Sequence, residues 1–286
     1  MDQRQRPYRS VLYIPASRER ALEKAKTLPV DAIIFDLEDA VSTDEKDAAR
    51  ETLKSALAQG GYGNRFKIVR INGLDTPWGR ADAEAVREMG ADVVLVPKVG
   101  SAADVDAVAA ITGNMSVWAM METPRGMLNA AQIAAHPLMA GFVMGTNDLA
   151  KELQTNFRPD REPLLTSLGL CLLAAKAEGL VIIDGVYNAF KDVDGLAVEC
   201  QQGRDMGFDG KTLIHPVQIE VANKAFAPSD GDIDLARRQI AAFDEVHAQG
   251  QGVAVVDGKI VENLHVATAR EILAKAEAIQ VMQAES

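Results

Sequence analysis

The sequence has little of what staples a small or secreted fold together. Its 286 residues include only two cysteines, Cys171 and Cys200. Two thiols cannot build a metal cluster alone, and a chain this long buries a core without covalent cross-links. The expected compartment is therefore reducing and cytoplasmic. Cys171 lies in the apolar run LGLCLLAAKA and reads as a buried core thiol rather than a reactive one. Positive charge is also in short supply. Thirty Lys and Arg against 41 Asp and Glu leave a net charge of −11. A nucleic-acid partner is not expected, because phosphate backbones need clustered cations. No apolar run reaches the roughly 18 residues of a membrane span. The opening residues MDQRQRPYRS carry no apolar segment of a secretory signal. Nor does a glycine fingerprint follow the first apolar run, where PASRER stands instead of G-x-G-x-x-G.

What is present is ordinary for a globular chain: 48% hydrophobic and 25% charged residues. At roughly 150 residues per domain the length suggests about two domains, although barrels of 200 to more than 250 residues fold as one. Short β-branched runs alternate with longer helical stretches. Strands are expected at 10–14, 31–37, 66–71, 92–97, 115–121, 141–145, 180–184 and 210–216. Helices are expected between them at 18–28, 43–58, 80–89, 102–112, 125–135, 161–178 and 190–206, with Ser42 or Thr43 able to cap the second. Near-continuously apolar strands separated by helices mean a parallel sheet covered on both faces. Eight such units fit a closed (β/α)8 TIM barrel, with an open doubly wound sheet as the alternative. The barrel is assigned to residues 1–228. Residues 229–286 form an extension: a helix at 231–249, a hairpin turning at Asp257-Gly258, and a helix at 265–280. This extension is long enough to act as a lid over its own barrel or a neighbour's.

Chemistry on such a barrel sits where strands end and βα loops gather. Nearly every expected strand ends on an ionisable group. Alone, each reads as a cap or loop charge, and Asp148 could simply cap a helix at 149–153. Together, Glu38, Glu122 and Asp148 would converge on one small mouth and repel. A bound cation removes that cost. Two or three carboxylates with no cysteine suit a hard divalent ion, Mg²⁺ or Mn²⁺. Arg70 and Arg18 would add positive charge for an anionic substrate.

The blocks VLYIPASRERALEKA, DAIIFDLEDAV, RINGLDTPWG, VLVPKV, METPRGMLNAAQIA, MGTNDLAKEL and GFDGKTLIHP resemble, in that order, the HpcH/HpaI aldolase/citrate lyase β-subunit-like family. The DGKIVENLHVATARE block belongs to the resemblance too, which covers nearly the whole chain. It is strongest to the branch of malyl-CoA thioesterases and malyl-CoA lyases. The resemblance implies a barrel with a C-terminal extension, Mg²⁺, and CoA-thioester substrates. Glu122 and Asp148 would be the metal ligands, with Glu38 behind them. Arg70 would meet the thioester or its carboxylate. Tyr13, Arg18 and Lys24 would line the CoA and acyl entry, and Ile214 and His215 would border the substrate. Glu262 stands where lyases of the family carry an Asp as lid acid/base, and Pro15-Ala16 where the family has Pro-Gly.

Two reactions follow from the resemblance: hydrolysis of malyl-CoA, or retro-aldol cleavage to an acyl-CoA and glyoxylate or pyruvate. A citrate lyase β-like subunit needing an acyl-carrier partner, and an aldolase acting on free acids, are further readings. The resemblance also implies a homo-oligomer, a trimer or a dimer of trimers.

Overall fold

The computed structural model describes residues 6–284. The chain divides into two units, one over Tyr8–Phe226 and one made of the described residues on either side of it.

The first unit is a closed barrel of eight parallel strands in sequence order. Its elements run β1 (Ser10–Pro15), α1 (Glu19–Ala25), β2 (Ala32–Asp36), α2 (Lys46–Gln59), β3 (Phe66–Arg70), α3 (Gly79–Val86), β4 (Val93–Val96), α4 (Ala102–Thr112), β5 (Val117–Met121), α5 (Pro124–Leu128) and α6 (Ala130–Ala134). They continue with β6 (Met139–Met144), α7 (Thr146–Glu152), α8 (Leu165–Ala177), β7 (Val181–Asp184), α9 (Val193–Met206), β8 (Gly210–Leu213) and α10 (Ile219–Phe226). The doubly wound alternative is thereby excluded.

Side chains alternate along the strands, so β1 to β7 feed two cores, while β8 adds Leu213 to the outer one. Ile33, Phe35, Val69, Val94, Ala119 and Phe142 pack outward against the helices. Ile34, Ile68, Leu95, Trp118, Met120 and Val143 fill the barrel. At one end Tyr8, Phe66 and Trp118 form an aromatic plug with ring centroids 5.4–5.7 Å apart. Both cysteines are buried, and burial pushes each thiol up to about 12. The Cys171 thiol rests 3.3 Å from the Met127 sulfur.

Several local expectations need correction. The helix expected at 125–135 is two short helices, broken where Asn129 leaves helical geometry and donates from its side chain to the Gly100 carbonyl. Ser42 precedes a single 3₁₀ turn at Thr43–Glu45 and bonds the Glu45 carboxylate instead of a backbone amide. Asp148 lies inside the first turn of α7 rather than ahead of a helix. Helix α10 was not anticipated.

The second unit holds α11 (Asp230–Ala248), a hairpin of β9 (Ala254–Val256) and β10 (Lys259–Val261), and α12 (Asn263–Ala284). Ser229 and Asp232 cap α11 reciprocally. Asp257 and Gly258 both have positive φ, 50° and 74°, as a two-residue hairpin turn requires. Arg238 holds the Asp257 carboxylate with two contacts of 2.8 Å. Phe243, Ala254, Val256, Val261 and Val266 form this unit's own small core. No helix among the described residues is long and apolar enough to cross a membrane.

Candidate active site

Period-two alternation carries the barrel-facing rows out to the mouth. Ile34 is followed on its face by Asp36, Ile68 by Arg70, and Met120 by Glu122. Strand register puts Asp36 directly beside Arg70. The two form a fork: Arg70 Nε meets Asp36 Oδ1 at 2.7 Å and Nη2 meets Oδ2 at 2.6 Å. Both Asp36 oxygens also accept backbone N–H groups, from Glu38 at 2.9 Å and Ala40 at 3.1 Å. The remaining guanidinium nitrogen, Nη1, lies 2.8 Å from Glu38 Oε2 and 3.5 Å from Asp39 Oδ2. The guanidinium sits 5.1 Å from the centre of the Tyr13 ring, whose hydroxyl reaches the Met120 sulfur at 3.5 Å. Arg70 is thus buried, charged and fixed on two sides.

Glu122 follows β5 and is only 2% exposed. Its Oε1 accepts the Lys98 backbone N–H at 2.8 Å. Its Oε2 takes no hydrogen bond among the described residues. Gly145 closes over it from the end of β6, where a Cβ would collide with both Glu122 Cβ and Oε2. Burial raises the Glu122 carboxyl from 4.5 to about 7, and Asp148 adds to the rise. Burial raises Glu38 to about 7 as well, against the lowering effect of Arg70. Asp148 is half-buried, and the Lys98 ammonium lies 4.0 Å from both Asp148 Oδ2 and Glu38 Oε1.

A cavity of about 300 Å³ opens at this mouth, lined among others by Tyr13, Arg70, Gly145, Asp148 and Ile214. Glu122 does not line it. Among the described residues no three His, Cys, Asp or Glu side chains gather as a ready-made metal cage. The expected repulsion between Glu38, Glu122 and Asp148 is offset in part by Arg70 and Lys98. Even so, Glu122 keeps a carboxylate oxygen without a hydrogen bond, and a second carboxylate, Asp148, stands in the first turn of α7 after the next strand. This donor set fits a hard ion that takes one or two carboxylates and completes its shell with water and substrate.

The other expected residues fall as follows. Arg18 is exposed and begins α1, in the loop directly after β1. Lys24 is exposed in the last turn of α1 and does not line the cavity. His215 is exposed, stacks on Phe190 at 4.6 Å, and accepts the Val217 N–H on Nδ1 at 3.2 Å. Glu262 belongs to the second unit, where its carbonyl opens α12 and its N–H donates to His265 Nδ1 at 3.0 Å.

Three residues here stand at the expected strand ends but were given no role from sequence: Asp36, Lys98 and Gly145. Asp36 could have been found from the barrel-facing parity it shares with Ile34. Conversely, Asp184 ends a strand but does not serve the mouth. It is fully buried and paired with Arg161 at 2.7 Å and Lys211 at 3.1 Å. Burial alone would raise its carboxyl, but Lys211 and Arg161 hold it below the usual carboxylate range. Lys211 also meets Glu199 at 2.7 Å, so this network ties β7, β8 and α9 together.

Comparison with known proteins agrees with this architecture. Residues 9–216 match the family described as HpcH/HpaI aldolase/citrate lyase. Residues 164–281 match C–C bond lyases of the TIM-barrel fold. The chain is 66% identical over 278 residues to a (3S)-malyl-CoA thioesterase of Cereibacter sphaeroides, covering 97% of this chain and 98% of that protein. It is 35% identical over 284 residues to the citrate lyase subunit beta of Escherichia coli strain K12, covering 95% and 94%. The crystal structure of CitE from Mycobacterium tuberculosis, in complex with magnesium, acetoacetate and coenzyme A, superposes with a TM-score of 0.80 at 32% identity, covering 96% and 99%.

Proposed function

The chain belongs to the HpcH/HpaI aldolase/citrate lyase family, and from that we propose that it hydrolyses malyl-CoA-type thioesters to malate and coenzyme A in a divalent-metal-dependent reaction. The observation that carries the choice of hydrolysis is the 66% identity, over 97% of the chain, to a malyl-CoA thioesterase. The charge arrangement of the mouth supports the substrate class.

In this reading Glu122 and Asp148 hold the ion, Mg²⁺ or with the same donors Mn²⁺. The ion would supply Lewis-acid charge for the hydroxyl and carboxylate oxygens of the malyl group. The protein residues do the rest. Asp36 fixes the Arg70 guanidinium, so Arg70 need not reorganise as negative charge grows on the thioester oxygen. Glu38 forms an ion pair with the third guanidinium nitrogen and limits how Arg70 can turn. Tyr13 and Ile214 close the apolar side of the cavity, while Arg18, Lys24 and His215 border the path of the CoA and acyl chain. Water adds to the thioester carbon, the C–S bond breaks, and the departing sulfur takes a proton. Glu262 is the acid/base that this reading assigns to the proton transfer.

The match of residues 164–281 to C–C bond lyases favours a second reading. In it, the same mouth cleaves malyl-CoA or citramalyl-CoA by retro-aldol chemistry, leaving the thioester intact. A cytoplasmic homotrimer, or a dimer of trimers, is the assembly this proposal expects, and light-scattering mass in solution checks it. Thiol release from malyl-CoA, measured with Mg²⁺ and after EDTA treatment, tests the proposal. Release that stops with EDTA and returns with Mg²⁺ is expected; release undiminished by EDTA contradicts it.

A further inference from the structure

The loop after β4 carries a residue whose backbone and side chain both turn toward the carboxylates. Lys98 has φ of 51°, in the left-handed region where a Cβ is penalised and glycine is the usual occupant. Glycine takes nine of the thirteen positive-φ positions among the described residues; this one, like those of Gln154, Arg161 and Asp257, holds another residue. Such a strained residue persists only where its surroundings fix it. Here they do. The Lys98 N–H is held by Glu122 Oε1 at 2.8 Å. The ammonium lies 4.0 Å from Glu38 Oε1 and 4.0 Å from Asp148 Oδ2. One residue therefore addresses Glu38, Glu122 and Asp148, one through its backbone and two through its charge. Glycine would keep the first contact and lose the other two.

We infer that Lys98 is the resident counter-cation of this mouth: its ammonium pairs with Glu38 and Asp148 in the metal-free protein and must withdraw when a divalent ion binds, so that Lys98 sets the affinity for that ion. The inference rests on Glu122 and Asp148 being the metal ligands. Of the cations described beside these carboxylates, Arg70 and Lys46 are buried and bonded in place, Lys46 to the Leu37 and Glu38 carbonyls, and Lys98 is the one free to leave. Arg70 is 6% exposed and locked by Asp36, whereas the Lys98 side chain is 54% exposed and can swing into water. Burial pulls the Lys98 ammonium down, but Glu38, Asp148, Glu122 and Asp39 together hold it above its ordinary range, so it stays charged at neutral pH. The hold on Glu122 is a backbone bond. Removing the side-chain charge therefore leaves Glu122 tethered, and competition for Asp148 can be tested separately from assembly of the site.

The test is calorimetric titration of the metal-free protein with MgCl₂, alongside melting temperature in EDTA. Lys98→Met removes the charge and keeps the stem. It should tighten Mg²⁺ binding about three- to tenfold, the scale of two partly screened contacts at 4 Å, and lower the melting temperature in EDTA. Lys98→Gly removes the charge and the backbone strain together, and should tighten binding to the same degree. Lys98→Arg keeps the charge and should bind as the wild type does. Unchanged or weaker Mg²⁺ binding by both Lys98→Met and Lys98→Gly, in a wild type that does bind, overturns the inference alone. A wild type that binds no Mg²⁺, or a Glu122→Gln variant that binds it equally well, overturns the assignment of the metal ligands and this inference with it.

Discussion

Arg70 cannot be replaced by another cation without loss, because its use depends on shape. Two of its nitrogens engage both oxygens of Asp36 while the third reaches Glu38. Lysine offers a point charge and cannot span that fork. Arg70→Lys should lower kcat/KM for thioester cleavage by about 100-fold or more, measured at saturating Mg²⁺, while Mg²⁺ affinity changes little. Equal kcat/KM would remove Arg70 from the reaction. Glu122 makes a prediction about pH. Its carboxyl titrates near 4.5 when unfolded and about 7 when folded. The folded protein thus keeps a proton that the unfolded chain has released. The stability this gives is full below 4.5 and is lost as pH rises through about 7. Denaturant unfolding of the metal-free protein between about pH 5 and 8 should show this fall, with a smaller one in Glu122→Gln. Mg²⁺ affinity of the wild type should rise over the same range, because binding must displace that proton. A pH-independent affinity contradicts the role given to Glu122.

At the scale of elements, the junction of β6 and α7 packs against Glu122, beside the Lys98 backbone bond that tethers it. Gly145 allows the backbone to pass against the Glu122 side chain, where any Cβ would collide. Gly145→Ala should therefore weaken Mg²⁺ binding by about 10- to 100-fold, as changes around a metal's ligands do, and lower the melting temperature. Both are read on the purified variant, and a variant indistinguishable from wild type would show that the junction tolerates movement. The eight strands were legible in the sequence because parallel strands covered on both faces are written as apolar runs such as DAIIFDL and DVVLVP. The mouth carboxylates were legible because each follows such a run. Asp36 was harder to see. Alternation gives its face, but its bond to Arg70 depends on the register between β2 and β3, which no local pattern states. The left-handed backbone of Lys98 has no residue signature, since lysine rarely marks such a position. The break at Asn129 and the short helix α10 were missed because both depend on tertiary packing more than on propensity.

At the scale of the whole molecule, the C-terminal unit has its own core and presents Glu262, exposed, between β10 and α12. The hairpin turn and the Arg238–Asp257 contact fix the segment that leads to it. If Glu262 is the acid/base, Glu262→Gln should lower kcat by about 10²–10⁴-fold with KM little changed. If it only begins the helix, kcat should hold and thermal stability should move slightly. Mixing Arg70→Ala chains with Glu262→Gln chains asks which barrel the residue serves. Recovery of part of the activity in verified mixed oligomers is the result expected of a lid acting across subunits. No recovery means that each chain completes its own site. The central claim is the bond that breaks. Purified protein with Mg²⁺ and malyl-CoA, followed for free thiol and glyoxylate in the same tube, measures it directly. Thiol appearing in step with malyl-CoA loss, without glyoxylate, is the predicted result; glyoxylate in step with that loss, without thiol, would contradict it.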